Sequence, residues 1–133
     1  MQPEMFFEKA IASSSDYDEA FLNMVRHGKS VQEIYESFTV QDVRSAADLL
    51  WPHYNCSGGV DGYASLEVNP HLAHETDMSV EEAKRLFAVL DRPNVMIKVP
   101  ATPEGIPAVR QLIGEGVNVN VTLIFSLDVY EKV

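Results

Sequence analysis

The second half of the sequence predicts an α/β fold, because short apolar strands alternate there with amphipathic helices. Three strand-like runs of β-branched and apolar residues lie at 63–68, 95–100 and 117–122. Stretches with apolar residues at helical spacing separate these runs. Consecutive strands connected through a helix pair in parallel, with right-handed crossovers. We therefore expect a sheet of about three parallel strands, covered by helices on at least one side.

The first third of the chain predicts helices that begin at capping side chains. Ser15 with Asp18 has the spacing of a capping box, in which each side chain accepts a hydrogen bond from the other residue's backbone N–H. Ser30 with Glu33 has the S-x-x-E form of the same motif and opens a second helix. Gly28 lies between the two and is expected to end the first helix.

A third helix is expected to begin at Thr39 and to end at Pro52. Proline has no backbone N–H and disrupts a helix interior, so Pro52 is a natural end point. The segment 52–62 then contains two dipeptides of the kind found in turns, Gly58-Gly59 and Asp61-Gly62. This segment is therefore predicted to be a loop that leads to the first strand.

In the second half, each strand is followed by a helix with its own start signal. Ser79 with Glu82 predicts the start of the helix after the first strand. Thr102 is the expected cap of the next helix, with Pro103 at the first position, where the missing N–H is harmless. Ser126 is expected to open a helix after the third strand.

Lys98 occupies an unusual position in the middle strand, Val95-Met96-Ile97-Lys98-Val99-Pro100. An isolated buried ammonium is very costly, so a lysine in such a strand needs a partner or a neutral amine. A neutral amine is a nucleophile toward carbonyl groups, which suggests Schiff-base chemistry. The alternative is that Lys98 ends the strand and carries its ammonium into solvent.

The polar faces of the three strands bring further functional groups to the same edge. Side chains alternate along a strand, so Ser65 and Glu67 share one face, and Asn120 and Thr122 share another. Glu67, Lys98, Asn120 and Thr122 all lie near the C-terminal ends of their strands, where barrel enzymes carry their active sites. In an antiparallel surface sheet these side chains would simply meet water. The helical crossovers favour the parallel sheet instead, and with it a closed interior.

Composition argues against several kinds of partner. The formal charge is −10 and the basic residues are scattered, whereas nucleic acids and anionic membranes require clustered positive charge. No apolar run approaches the roughly 20 residues of a membrane span, and the start lacks the features of a signal peptide. The single cysteine, Cys56, fits a reducing compartment. We therefore expect a soluble, cytoplasmic protein.

Three histidines raise the question of a metal site. His53, His71 and His74 lack the spacing of zinc ligands and lie in predicted loops, so we expect solvated side chains and no metal. Cys56 has no base placed near it by spacing, and a passive loop thiol is the simpler interpretation.

At the residues described above, the sequence resembles transaldolase, a class I Schiff-base aldolase. Residues 96–105, Met-Ile-Lys-Val-Pro-Ala-Thr-Pro-Glu-Gly, are similar to the family's segment around its Schiff-base lysine. Residues 61–70 are similar to the strand that bears its catalytic glutamate, and residues 117–126 to the strand with its asparagine and threonine. Residues 7–11 also resemble the segment after the family's second strand. Three motifs in the same order make this a specific resemblance.

The resemblance implies a partial (β/α)8 TIM barrel with about three parallel strands, the third to fifth of the family, and preceding helices. Residues 1–133 would form a single incomplete barrel segment, because a full barrel needs roughly 250 residues. The first-strand aspartate has no counterpart, and residues 2–3 hold Gln and Pro where the second-strand asparagine would fall. The later strands that hold the sugar phosphate are also missing. The sequence is therefore expected to be a central segment of a longer protein, from a truncated, split or incompletely assigned gene.

The resemblance also implies a function in the pentose phosphate pathway, the transfer of a dihydroxyacetone unit between sugar phosphates. Lys98 would form the Schiff base, Glu67 would act as acid and base, and Thr122 would hold a water that relays protons. Asn120 and Ser65 would bind the substrate, and no metal or organic cofactor is needed.

Two alternatives stay open. The first is a fructose-6-phosphate aldolase, which shares the lysine, although Glu67 followed by Val68-Asn69-Pro70 favours transaldolase. The second is a non-catalytic fragment, or one half of a two-chain barrel, whose open strand edges would favour self-association or a complementing half. The isolated chain is expected to be inactive in either case.

Overall fold

The computed structural model describes residues 13–133, so residues 2–3 and 7–11 lie outside the described part of the chain. Two compact units are present, Met1–Asp42 and Val43–Val133. The helices are α1 (Asp18–Arg26), α2 (Val31–Cys56), α3 (Thr76–Leu90), α4 (Gly105–Gly114) and α5 (Leu127–Tyr130), and a 3-10 turn spans Pro70–Leu72. The strands are β1 (Ala64–Glu67), β2 (Val95–Pro100) and β3 (Val119–Thr122).

The start of α1 differs from the capping box predicted at Ser15. The helix begins at Asp18, Tyr17 occupies the N-cap position, and no side chain caps it. Ser15 takes part only through its carbonyl, which accepts from the Asp18 N–H at 3.2 Å. Tyr17 is held by tertiary contacts instead, because its hydroxyl donates to Asp42 Oδ2 at 2.7 Å and its ring packs edge-on against Phe38. The bond to Asp42 raises the pKa of Tyr17.

The capping box predicted at Ser30 and Glu33 is confirmed. The Glu33 N–H donates to Ser30 Oγ at 3.2 Å, and the Ser30 N–H donates to Glu33 Oε2 at 2.8 Å. Lys29 Nζ donates to Glu33 Oε1 at 2.7 Å, and this bond, followed by those from Ser30, lowers the pKa of Glu33 to about 2. Because the pKa is depressed, the stabilisation exists above the ordinary value of 4.5 and is lost as the pH falls toward 2.

The third helix start, predicted at Thr39, is wrong, because α2 runs without interruption from Val31 to Cys56. Thr39 lies inside this helix, where its hydroxyl donates back to the Tyr35 carbonyl at 2.8 Å. Pro52 also lies inside the helix and does not end it. Even so, none of the described helices is long and apolar enough to cross a membrane.

The loop predicted at 52–62 is therefore shorter than expected, since α2 continues to Cys56. Gly62 packs closely on the end of α2: a Cβ at this glycine would lie 2.5 Å from the Tyr54 N and 2.9 Å from the Leu50 O. Tyr54 in turn packs edge-on against Tyr63, at a centroid distance of 5.3 Å. These contacts stabilise the last turn of the helix against the loss of one hydrogen bond at Pro52.

The sheet has the strand order β1-β2-β3, and both pairs are parallel. Helices α3 and α4 contact β2 and each other, so they cover the same face of the sheet. The apolar side chains of β1 and β2 point to that face, with Ile97 and Val99 fully buried and Leu66 nearly so. The predicted α/β fold with three parallel strands is confirmed, and it matches a segment of a TIM barrel.

The helix predicted to begin at Ser79 starts earlier, at Thr76. Ser79 is buried within α3, and its hydroxyl donates to the Leu72 carbonyl at 2.8 Å. The serine thus anchors the preceding 3-10 turn and does not cap the helix.

The cap expected at Ser126 is confirmed, and Thr102 makes the hydrogen bond expected of a cap, although α4 begins only at Gly105 with Glu104 at its N-cap position. Thr102 Oγ1 accepts from the Gly105 N–H at 2.9 Å, and the Thr102 carbonyl accepts from the Ile106 N–H at 3.0 Å. Ser126 Oγ accepts from the Val129 N–H at 3.2 Å. Pro103 therefore lies directly after the capping residue, where proline is favoured.

Asn94 is a fully buried polar residue that joins α2 to the start of the sheet. Its Nδ2 donates to the Ala47 carbonyl at 2.7 Å and to the Gly62 carbonyl at 3.0 Å. Without these bonds two carbonyls would be left without a side-chain donor at a site that water does not reach. Asn94 therefore connects the interior of α2 to the segment that precedes the first strand, while its own Oδ1 has no hydrogen-bond partner among residues 13–133.

We expect Asn94→Ala to lower the free energy of unfolding by about 2–4 kcal/mol, since it removes two buried hydrogen bonds and opens a small cavity. Asn118→Ala is the matched control, because Asn118 Nδ2 also donates to two carbonyls, of Pro93 and Val95, from a partly exposed position. Urea unfolding followed by circular dichroism measures both. Equal losses for the two variants would contradict the role assigned to burial.

Candidate functional site

The parallel register places three functional side chains in one row across the sheet. Glu67 of β1 lies opposite Lys98 of β2, and Lys98 lies opposite Asn120 of β3. All three are partly exposed, on the face opposite the buried Ile97 and Val99. The convergence expected from strand alternation is therefore present, and the row joins the last residue of β1 to inner residues of β2 and β3.

Lys98 and Glu67 form an ion pair at the centre of this row. Lys98 Nζ lies 3.4 Å from Glu67 Oε2, and the two side chains are 28% and 25% exposed. This distance is longer than the roughly 2.7–2.9 Å of a strong charge-assisted hydrogen bond. The pair is thus partly shielded from water yet loosely bonded, and a carboxylate stands within reach of any proton that the amine releases or takes up.

Asn120 and Ser65 are joined across the middle strand. Asn120 Nδ2 donates to Ser65 Oγ at 3.3 Å, although β1 and β3 are not neighbours. The bond passes over β2 on the side that carries Lys98. An amide and a hydroxyl that meet there can bind hydroxyl groups of a polyol close to the amine.

Thr122 is the one member of the predicted set without a hydrogen bond. Its Oγ1 is buried and has no partner among residues 13–133, and its Cα pairs with Pro100, two positions beyond the Lys98–Asn120 pair. A buried hydroxyl without a partner is costly, so it usually serves a ligand or a water. The next residue, Leu123, has a φ of 62°, a left-handed conformation that is rare outside glycine.

Asn118 shares a strand face with Asn120 but lies outside this site. Its amide donates to the Pro93 and Val95 carbonyls at the opposite end of the sheet, so its function is structural. Sequence alternation alone could not separate the two asparagines.

The histidines do not assemble into a metal site. Across residues 13–133 no group of three or more His, Cys, Asp or Glu side chains could hold a metal ion. His74 Nδ1 lies 3.3 Å from Glu104 Oε2 at an exposed position. Glu104's own backbone N–H, followed by His74, lowers the pKa of that carboxyl. Cys56 is exposed.

Two residues of the loops around the site escaped the sequence analysis. Thr76 was not singled out, and Thr102 was recognised only as a cap, yet the hydroxyl of each also donates to a backbone carbonyl of the other's loop. A short motif can reveal a cap within one helix, but a bond between loops about 30 residues apart has no local sequence signal.

Comparisons with known proteins identify the family of this chain. The family described as Transaldolase/Fructose-6-phosphate aldolase matches residues 5–133. Transaldolase 1 of Streptomyces avermitilis and Transaldolase 2 of Streptomyces coelicolor are each 50% identical over 127 residues, which is 96% of this chain and 34% of each relative. The transaldolase of Mycobacterium ulcerans is 47% identical over 122 residues, which is 92% of this chain and 33% of the relative.

The chain thus spans about a third of the length of the curated relatives that it matches. The match includes the strands that carry Glu67, Lys98 and Asn120. On this ground the chain belongs to the transaldolase/fructose-6-phosphate aldolase family.

Proposed function

We propose that this chain carries the Schiff-base segment of a transaldolase, which transfers a dihydroxyacetone unit from a ketose phosphate to an aldose phosphate. The observation that carries the proposal is the ion pair of Lys98 with Glu67, at 3.4 Å, on the polar face of the sheet. An amine beside a carboxylate has both a nucleophile and a proton acceptor in place. The named relatives are transaldolases, which supports the same reaction.

The first step is imine formation at Lys98. The neutral amine attacks the ketone carbon, and one proton passes from the nitrogen to the former carbonyl oxygen to give a neutral carbinolamine. One further proton, supplied through Glu67, lets the hydroxyl leave as water, and the nitrogen becomes a protonated imine. In this proposal Thr122 holds the water that passes the proton, since its buried hydroxyl has no other partner among the described residues.

The second step is carbon–carbon cleavage. The hydroxyl on the first carbon beyond the three-carbon unit gives its proton to a base, a role for which this chain offers Glu67. The carbon–carbon bond between the two parts of the sugar then breaks, and an aldose phosphate leaves. The electron pair moves into the iminium, which leaves an enamine on Lys98. The enamine then attacks the acceptor aldehyde, which takes up a proton, and hydrolysis of the imine frees the new ketose. The iminium is the electron sink, so the proposal uses no metal or organic cofactor.

Asn120 and Ser65 would hold the donor's hydroxyl groups during these steps. Their mutual bond of 3.3 Å is weak enough to exchange for bonds to a substrate. The reaction would belong to the pentose phosphate pathway and would take place in the cytoplasm.

A fructose-6-phosphate aldolase is the second candidate, because the matching family includes both activities. The two enzymes differ in the fate of the enamine. In the aldolase the enamine would take up a proton, whereas in the transaldolase it would attack an acceptor aldehyde. Glu67 is followed by Val68-Asn69-Pro70, which favours the transaldolase. Product analysis with and without erythrose 4-phosphate separates them.

Both edge strands of the described sheet are unpaired on their outer sides, which suggests that the sheet associates with further strands. β1 and β3 are its edges, and large apolar residues after β3 are exposed, namely Leu123, Phe125, Leu127 and Tyr130. Open strand edges and exposed apolar surface favour association. We therefore propose that residues 1–133 act as one incomplete barrel segment that works with further strands, either in a longer chain or from a complementing half. A catalytically silent fragment is the remaining alternative.

Borohydride trapping tests the role of Lys98. In an assembly that completes the barrel, and with fructose 6-phosphate or dihydroxyacetone, we expect reduction to fix a three-carbon adduct on Lys98, and Lys98→Arg to abolish it, because a guanidinium cannot form the imine. Peptide mapping locates the label. Lys84 is the internal control: it is paired with Glu115 at the surface and should remain unmodified. Glu67→Gln should slow trapping roughly 100-fold without preventing it. Label spread over surface lysines would refute the Schiff-base proposal.

Thr122→Val separates stability from chemistry at one position. Valine has the same shape and removes a buried hydroxyl without a partner, so we expect thermal stability to stay equal or rise, while trapping at Lys98 slows at least about 10-fold. Thr39→Val is the control, because the Thr39 hydroxyl is buried and donates to Tyr35 O. That variant should leave trapping unchanged. Unaltered trapping in Thr122→Val would remove Thr122 from the mechanism.

The assembly proposal predicts that the purified 133-residue chain associates and turns over fructose 6-phosphate with erythrose 4-phosphate roughly 100-fold or more below a complete transaldolase. Incomplete positioning of the substrate accounts for a loss of that size. Size-exclusion chromatography with light scattering and a coupled assay measure both properties. A strictly monomeric chain with full turnover would contradict it.

A further inference from the structure

The loops that follow β1 and β2 are joined by two threonine hydroxyls that act in opposite directions. Thr102 Oγ1 donates to the Ala73 carbonyl at 2.5 Å, from the loop after β2 to the loop after β1. Thr76 Oγ1 donates to the Glu104 carbonyl at 2.8 Å, in the reverse direction. Each loop thus supplies one donor and one acceptor. These two bonds, Thr102 to Ala73 and Thr76 to Glu104, are called the threonine clasp below.

The loop after β2 is rigid where the clasp begins. Thr102 Oγ1 also accepts from the Gly105 N–H at 2.9 Å, so its hydroxyl is both donor and acceptor. A Cβ at Gly105 would lie 2.0 Å from the Pro100 O and 2.9 Å from Thr102 Oγ1. Only glycine fits this turn, and the position of the Thr102 hydroxyl is therefore set by the backbone around it.

The clasp lies just beyond the ion pair on the same two strands. Backbone pairing continues past Glu67, because the Val68 N–H donates to the Lys98 carbonyl at 3.2 Å. Ala73 follows Glu67 by six residues, and Thr102 follows Lys98 by four. The ends of β1 and β2 are therefore held on one side by the sheet and on the other by the clasp.

A third contact between the loops adds little. His74 Nδ1 and Glu104 Oε2 are 3.3 Å apart, but the side chains are 78% and 41% exposed. Exposed ion pairs contribute weakly because water and salt screen them. The partly buried hydroxyl bonds of the clasp are the stronger connection.

We propose that the threonine clasp is a positioning device that sets the distance between the Lys98 amine and the Glu67 carboxylate. The proposal rests on the proposed function, in which this distance governs proton transfer during imine formation. The separation of 3.4 Å exceeds that of a strong ion pair, so the two groups are held by their strands and loops rather than by their own attraction. A displacement of about 1 Å at a reacting pair can cost roughly 100-fold in rate. Thr102 and Thr76 are thus positioning residues.

Two variants break the clasp without removing the cap of α4. Thr76→Val removes one hydroxyl and leaves Thr102 untouched. Thr102→Asp keeps an oxygen that can accept from the Gly105 N–H, yet has no proton for the Ala73 carbonyl. Thr76→Ser and Thr102→Ser are the matched controls, because each keeps the hydroxyl at its position. Asn118→Ala, at the opposite end of the sheet, controls for general loss of stability.

We expect trapping of dihydroxyacetone at Lys98 by borohydride to slow roughly 10-fold in Thr76→Val and in Thr102→Asp. In the serine variants and in Asn118→Ala, the rate of adduct formation should stay within about twofold of the rate in the unaltered chain. Melting temperatures measured in parallel report any loss of stability. Wild-type rates in both clasp variants would overturn the proposal, as would an equal slowing in Asn118→Ala.

Crystal structures of the same variants test the clasp without the reaction. The separation of Lys98 Nζ and Glu67 Oε2 should lengthen by about 1 Å in Thr76→Val and Thr102→Asp and stay unchanged in the serine variants. An unchanged separation overturns the clasp whatever the trapping shows. Absence of any adduct in the unaltered protein, tested in an assembly that completes the barrel, would instead refute the proposed function, so the two failures are distinguishable.

Discussion

The parallel pairing of β2 with both of its neighbours is the constraint on which the rest of the structure depends. It sets Glu67 opposite Lys98 and Lys98 opposite Asn120. Because side chains alternate, the same register points Ile97 and Val99 toward the helices. A slip of one residue in β2 would carry Lys98 under α3 and α4 and expose Ile97. The same register therefore determines both the burial of the apolar face and the assembly of the polar face.

The two faces of the sheet contribute differently to stability and to chemistry. The face under α3 and α4 is apolar and fully buried at Val95, Ile97 and Val99, and this burial supplies stability. The other face carries partly buried polar groups that satisfy one another, as Lys98 does with Glu67. Such pairing limits the cost of removing these groups from water without adding much stability. Changes on the polar face should therefore alter chemistry more than folding.

Thr122 breaks this pattern of mutual satisfaction, and Leu123 beside it has a left-handed backbone. An unpaired buried hydroxyl and a strained residue both cost free energy, and both are typical of functional sites. The loops above the sheet show the opposite behaviour. Thr102 and Thr76 use their hydroxyls fully, and Gly105 leaves no room for a side chain. The loop hydroxyls are thus engaged within the protein, whereas the Thr122 hydroxyl has no partner among the described residues.

Local sequence determined those features whose causes are also local. The capping box at Ser30 and the caps at Thr102 and Ser126 were predictable, because each bond joins residues three apart. The three strands and the shared face of Glu67 and Lys98 were predictable from alternation, since the period of a strand is a property of its backbone.

Tertiary structure decided what depends on contacts between distant residues. The helix α2 continues past Thr39 and Pro52 because its end packs on Gly62, and α1 begins at Asp18 because Tyr17 is held by Asp42. Register placed Lys98 within 3.4 Å of Glu67, and the hydroxyls of two distant loops found each other's carbonyls. No local pattern encodes the last two kinds of contact, because each joins segments about 30 residues apart, where the balance of many weak contacts outweighs the preference of any single residue.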